Sequence, residues 1–163
     1  MTRLIVALGL ALALSACGPK SKAAQDNLNA AASFLASNGK QPGVVTLPDG
    51  LEYKIVASGA ADGPKPKPAD EVKVHYEGKL LDGTVFDSSF TRGVPADFTL
   101  GNLIPAWVEA IQLMRPGDEW LLYVPPQLGY GEKGAGPIPP NSVLVFRIKL
   151  LGVLPHPDGG NMG

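Results

Sequence analysis

The stretch VKVHYEGKLLDGTVFDSS, residues 72–89, decides the fold. Up to residue 80 it alternates: Val72, Val74, Tyr76 and Leu80 fall on one face, and Lys73, His75, Glu77 and Lys79 on the other. A period of two marks a half-buried antiparallel strand. Asp82-Gly83 is a pair that supplies the positive φ angles of a tight hairpin, so the chain is expected to reverse there. Thr84, Val85 and Phe86 begin a return strand, and Asp87-Ser88-Ser89 break it with side chains that bond their own backbone. Two features sit awkwardly in a plain core strand. Tyr76 brings a hydroxyl to the buried face, and Phe86 is followed at once by the carboxylate of Asp87.

Working outward, residues 97–100 predict a short strand and 105–114 the one convincing helix of the domain. Proline suits a first helical position, and Trp107, Ile111 and Met114 recur at i, i+4 and i+7. Arg115-Pro116-Gly117-Asp118 ends the helix as a turn. Residues 120–124 and 143–151 read as apolar strands. Between them, residues 125–141 hold five prolines and four glycines; a loop that long in a compact domain is usually functional or disordered. On the other side, 51–57 reads as a strand after the Pro48-Asp49-Gly50 turn. Residues 58–70, with Gly59, Gly63, Pro64, Pro66 and Pro68, can only be a loop. The sum is an α+β fold, a five- to six-stranded antiparallel sheet wrapped around one short helix.

The N-terminus carries a different message. Thr2-Arg3 and the apolar run 4–16 have the make-up of a secretory leader, and the run is short of the roughly 20 residues that span a bilayer. It ends Leu14-Ser15-Ala16-Cys17, which resembles a bacterial lipobox with cleavage before Cys17 and lipid on its sulfur. Gly18, rather than Asp, after the cysteine implies sorting to the outer membrane, facing the periplasm. Cys17 is the only cysteine, so no disulfide framework can form. Residues 21–38 read as an alanine-rich helix with Ala24, Leu28, Ala31 and Leu35 at 4–3–4 spacing. That pattern is marginal as a coiled coil, which leaves a simple spacer or a weak dimerisation helix, hence a monomer or a weak homodimer. The expected segments are a signal peptide (1–16), a lipid-anchored tether with a short helix (17–46), a folded domain (47–153) and a flexible tail (154–163).

Composition narrows the chemistry. Without residues 1–16 the chain has 13 basic and 15 acidic side chains, so it offers no basic field to nucleic acid. His75, on the polar strand face, reads as a solvated side chain, and His156 lies in the tail. No G-x-S-x-G, H-E-x-x-H or phosphate-cradling loop is present, and neither metal nor cofactor is expected. What stands out is a set of aromatics at element ends: Tyr76, Phe86, Phe98, Trp107, Tyr130 and Phe146. Taken singly, Phe98, Phe146 and Trp107 read as hydrophobic core.

Taken together, HYEGKL-DGTVFDSS (75–89), IPAW (104–107), GYGEKGAGPIPPN (129–141) and VLVF (143–146) resemble, in that order, the FK506-binding-protein family of peptidyl-prolyl isomerases, in its bacterial macrophage-infectivity-potentiator-like form with a shortened N-terminal segment. The similarity runs over residues 47–153. The resemblance implies a proline-binding pocket whose catalytic residues are Tyr76, Phe86, Asp87, Trp107, Tyr130 and Phe146. Its substrate-binding residues would be Phe98, Leu103, Ile104, Ile138 and Arg92, with Arg92 paired to Asp87. Partners would be proline-containing unfolded or flexible polypeptides, with the macrolides FK506 and rapamycin as inhibitors, and the membrane through lipid on Cys17. The chain departs from the family pattern at Ala106, where a glycine is usual, at Ala96, where the family prototype has phenylalanine, and in a flap one residue shorter near Ala135. These bear on substrate preference and macrolide fit. A non-catalytic holdase on the same fold is the alternative from a different class.

Overall fold

A computed structural model describes residues 21–157 of the chain. The expected signal peptide, Cys17 and residues 158–163 of the expected tail lie outside the described residues.

The elements follow in the order α1 (Lys22–Asn38), β1 (Val44–Thr46), β2 (Glu52–Ala57), β3 (Glu71–Lys79), β4 (Val85–Ser88), α2 (Ser89–Arg92), β5 (Ala96–Thr99), α3 (Pro105–Leu113), β6 (Glu119–Val124) and β7 (Leu144–Leu154). The sheet has seven strands in the order β1-β2-β6-β7-β3-β4, with β5 also on β3. All pairings are antiparallel. The strand that the sequence reading lacked is β1, three residues long and too short to show a period. α3 packs across the sheet. Trp107, Ala110, Ile111 and Met114 are buried with Val72, Val74 and Tyr76 of β3 and Phe146, Ile148 and Leu150 of β7. Each fully buried Leu or Ile here contributes roughly 1.5–3 kcal/mol.

β3 carries the architecture, as its alternation predicts. Val72, Val74 and Tyr76 are buried, and Gly78 completes the same face. Its outer edge is shared. The first half, Glu71 to Val74, pairs with β5, and the second half, from Glu77, pairs with β4. Between the two partners the chain leaves the sheet through α2. The hairpin before β4 differs from the expected form. Only Gly83 has a left-handed backbone (φ 89°), while Asp82 uses its carboxylate to accept the Thr84 N–H at 2.9 Å. The result is a three-residue loop closed by Leu80 N–H to Thr84 O.

The expected spacer helix and the start of the expected tail are both tied to the domain. Ser21 caps α1 by accepting from Ala24 N–H, and α1 then lies along the domain rather than standing off as a spacer, with Ala24 and Ala31 buried. Leu28 of the expected stripe stays 36% exposed. At the other end β7 runs on to Leu154, opposite Glu71, and His156 N–H donates to Asp70 at 3.0 Å. Leu154 and His156, within the expected tail, are thus bonded to the domain.

Candidate active site

Gly78 and the residue it faces explain how the strands make a cavity. A Cβ at Gly78 would lie 2.6 Å from the Phe86 ring and 2.7 Å from Phe146. The missing side chain leaves room for those two rings, which meet edge-on at 5.7 Å. Glycine inside a strand often marks such a close approach. The register then slips: Gly78 faces Asp87 and Lys79 faces Val85, so Phe86 is an extra, bulged residue. A bulge lets two consecutive side chains point the same way. That resolves the oddity of Phe86-Asp87, because both line the same cavity.

The cavity has a volume of about 420 Å³. β3 supplies Tyr76, the bulge Phe86 and Asp87, β5 Phe98, the turn before α3 Leu103 and Ile104, α3 Trp107, the flap Tyr130 and Ile138, and β7 Phe146. All ten residues that the resemblance assigned to the pocket wall are thus brought together, and Arg92 stands behind them on Asp87. Pro137 also lines the cavity, from the flap tip, and had no signal of its own in so proline-rich a loop. Trp107 lies at the centre, with Tyr76, Phe98 and Phe146 meeting its indole at 80–85° and centroid distances of 5.2–6.1 Å. Edge-to-face pairs of this kind add about 0.5–1.5 kcal/mol each beyond their burial. The indole N–H is buried and has no hydrogen-bond partner among the described residues.

The polar corner is a closed triangle. Tyr76 donates its hydroxyl hydrogen to Asp87, Arg92 donates to the other Asp87 oxygen, and Arg92 Nη2 donates to the Tyr76 hydroxyl at 3.1 Å. Burial raises the Asp87 pKa, but the bonds from Tyr76 and Arg92 and the guanidinium charge outweigh it, leaving the carboxyl below its ordinary value. For Tyr76, burial and then the Asp87 bond push the phenol upward. Near neutral pH the corner therefore holds a fixed carboxylate and an un-ionised phenol. With side chains 42–51% exposed, the ion pair by itself stabilises little; its part is to fix the phenol.

Ser89 underlies this corner and was missed by the sequence reading. It is fully buried. Its hydroxyl accepts from Tyr76 N–H at 2.8 Å, lies 3.0 Å from His75 Nδ1 and can donate to Tyr76 O. α2 is thereby tied to β3 at the residue that carries the phenol. His75 is not the solvated side chain expected of it, since its ring stacks on Phe90 at 4.8 Å. The serine pair Ser88-Ser89 read only as a strand breaker. Ser88 does cap α2, accepting from Thr91 N–H, but nothing in the sequence marked the second serine as the tie.

The flap is ordered by its own backbone. Ala135 and Ile138 exchange hydrogen bonds at 3.0 and 2.9 Å, and Asn141 N–H donates to Gly131 O at 2.8 Å. Tyr130 precedes Gly131 and is 40% exposed at the mouth of the cavity.

Residues 63–151 match the family described as FKBP-type peptidyl-prolyl cis-trans isomerase, and residues 13–55 match the domain amino-terminal to such isomerases. The chain is 50% identical over 128 residues to the peptidyl-prolyl cis-trans isomerase Mip of Coxiella burnetii, covering 78% of this chain and 55% of that protein. It is 46% identical over 134 residues to the outer membrane protein MIP of Legionella longbeachae, covering 82% of this chain and 57% of that protein. The chain thus spans little more than half the length of these curated relatives. Among solved structures, FkpA from Escherichia coli superimposes with a TM-score of 0.80 at 42% identity, covering 85% of this chain and 64% of that one.

Proposed function

The chain belongs to the FKBP-type peptidyl-prolyl cis-trans isomerase family, and from that premise we propose that its aromatic cavity accelerates cis–trans exchange of Xaa-Pro bonds in flexible polypeptides. The observation that carries the reading is the Trp107 indole walled by three perpendicular rings, a slot with room for a pyrrolidine. The uncatalysed barrier, about 18–20 kcal/mol, reflects the partial double bond of the amide. Water supports the planar, charge-separated amide, and an apolar slot withdraws that support and favours the twisted form. Trp107 forms the floor under the ring, while Phe86, Phe98 and Phe146 exclude water. Leu103, Ile104 and Ile138 grip the flanking residues.

The Tyr130 hydroxyl, at the rim, holds a substrate carbonyl. Asp87 stays ionised, fixed by Tyr76 and Arg92, and orients the twisting amide by its charge. No proton leaves the substrate, so no general base is required. Lowering the barrier by about 5 kcal/mol gives three to four decades of rate, and desolvation with one or two oriented hydrogen bonds supplies that order of magnitude. The function extends to folding of exported proteins from a lipid anchor at Cys17, on the periplasmic side of the outer membrane. Support for that comes from the lipobox-like leader and from a relative named as an outer membrane protein.

The test is cis–trans exchange on a proline tetrapeptide, with and without FK506 or rapamycin. Turnover blocked competitively by the macrolide is expected. Absence of turnover in the folded protein, with aggregation still suppressed, would leave the holdase reading in its place. Anchoring is tested separately: the wild type should sediment with membranes and Cys17→Ser should not.

A further inference from the structure

Helix α1 touches the flap at both of its feet. Ala24, Asn27 and Ala31, spaced i, i+3 and i+7, share one helix face, and the two alanines are buried. From that face the Asn27 amide donates to Pro140 O at 2.8 Å. In the opposite direction, the Asn141 amide donates to Ala24 O at 3.0 Å. Two successive flap residues are therefore gripped by one turn of helix, one through its carbonyl and one through its side chain. Beside that face, with Ala31 shared, Leu28, Ala31 and Leu35 line a groove of about 400 Å³ with Pro125, Pro126 and Gln127, where the flap begins.

Asn141 is the hub. It is 2% exposed and is the one non-glycine among the described residues with a left-handed backbone, at φ 56°. Asparagine tolerates that region better than most residues, and here its side chain is bonded to α1. Its backbone N–H crosses the flap to Gly131 O at 2.8 Å, next to Tyr130. A path of two hydrogen bonds thus runs from the helix backbone to the residue beside the tyrosine at the cavity mouth.

We propose that α1 is a brace for the flap, with Asn27 and Asn141 as positioning residues that hold Tyr130 and Ile138 in their binding-competent places. This rests on the isomerase reading for its effect on activity, though not for its effect on the flap. Without the brace the flap spends less time in the competent arrangement, and affinity falls by the fraction lost. Turnover of substrate once bound is untouched, so the signature is a raised KM with an unchanged kcat.

The test compares the full chain with Asn27→Ala, Asn141→Gly and Asn29→Ala. Asn141→Gly keeps a residue that accepts positive φ and keeps the N–H to Gly131, but removes the donor to Ala24. Asn29 is an exposed control on the same helix. Native-state hydrogen exchange at the Ala135, Ile138 and Asn141 amides should speed up about fivefold in the first two variants, the factor carried by one hydrogen bond of ordinary net strength. Exchange in β3, β6 and β7 should not change. On an Xaa-Pro peptide KM should rise by a similar factor at constant kcat, and Asn29→Ala should match the wild type. Wild-type flap exchange in both variants overturns the proposal, as does a fall in apparent kcat alone, which would report lost folded protein. A wild type without isomerase activity would overturn the function proposed above, while flap exchange would still decide the brace.

Discussion

The cavity has two walls built on different terms. One is set on the sheet and α3: Tyr76, the bulged Phe86-Asp87, Phe98, Trp107 and Phe146 stand on elements locked by ladder hydrogen bonds and by the core itself. The other is the flap, where Tyr130 and Ile138 hang on a 17-residue loop held by a few backbone bonds and by α1. Side chains on the first wall do two jobs, so changing them costs fold and function together. On the second, Tyr130 is 40% exposed and changing it costs binding alone, whereas Ile138 is buried against the core and anchors the flap to it. A position is assigned to one wall or the other by whether stability and activity move as one.

The largest effect is expected at Trp107. Trp107→Ala empties the space between three rings, and loss of a large core aromatic typically costs about 3–5 kcal/mol. Chemical denaturation should show that loss, and peptide isomerisation should vanish even in conditions where the variant is folded. A stable, inactive variant would place Trp107 with the flap residues. Gly78→Ala comes next. The new methyl would collide with Phe86 and Phe146, and overpacking of this sort costs roughly 1–3 kcal/mol. Activity should fall with stability, since both rings must move. Unchanged activity would show that the bulge can yield without disturbing the slot.

The two walls were not equally legible in the sequence. Alternation gave β3 and its buried face because a half-buried strand has no other way to separate core from solvent. Gly78 was the gap in that alternation, a signal present but silent about which rings it admits. The bulge at Phe86 left its trace as an aromatic beside a carboxylate, which periodicity alone registers as an anomaly. Ser89 and Asn141 left none. Each acts through a polar atom that meets a distant backbone group, and such meetings are fixed by tertiary packing rather than by local pattern. The same holds for α1: alanines fit a spacer, a coiled coil or a close approach to another backbone, and the sequence cannot choose. Much of the assignment of pocket residues came from family resemblance, since Phe98, Phe146 and Trp107 read alone as core; Trp107 and Phe146 are core as well, and Phe98 is partly buried against it.

On the second wall the expected effect is smaller and cleaner. Tyr130→Phe removes one hydroxyl from a 40% exposed side chain. Thermal unfolding should not change, while peptide or macrolide affinity should weaken by about 1 kcal/mol, the net worth of one hydrogen bond. Equal loss of stability and affinity would mean that the flap is built into the core and that the two walls are one.

The smallest effect concerns how the floor helix is fastened. Glu109, two residues after Trp107 on α3, hydrogen-bonds Asp49 in the turn before β2. That bond, then partial burial and the Asp49 charge, raise the Glu109 carboxyl from 4.5 to about 7. Asp49 is lowered, burial being outweighed by the bonds from Glu109 and from the backbone. The pair shares one proton. A group whose pKa is raised on folding stabilises fully below its unfolded pKa and loses that contribution as pH climbs through the folded value. Stability should therefore sag between about pH 4.5 and pH 7, as the proton leaves and two carboxylates face each other. Asp49 is exposed, so solvent screening keeps the change under about 1 kcal/mol. Glu109→Gln, which keeps a donor at every pH, should flatten the profile across that window and leave activity near neutral pH unchanged. A profile equally sloped in wild type and variant would show that the proton is not shared and that α3 is held by its buried face alone.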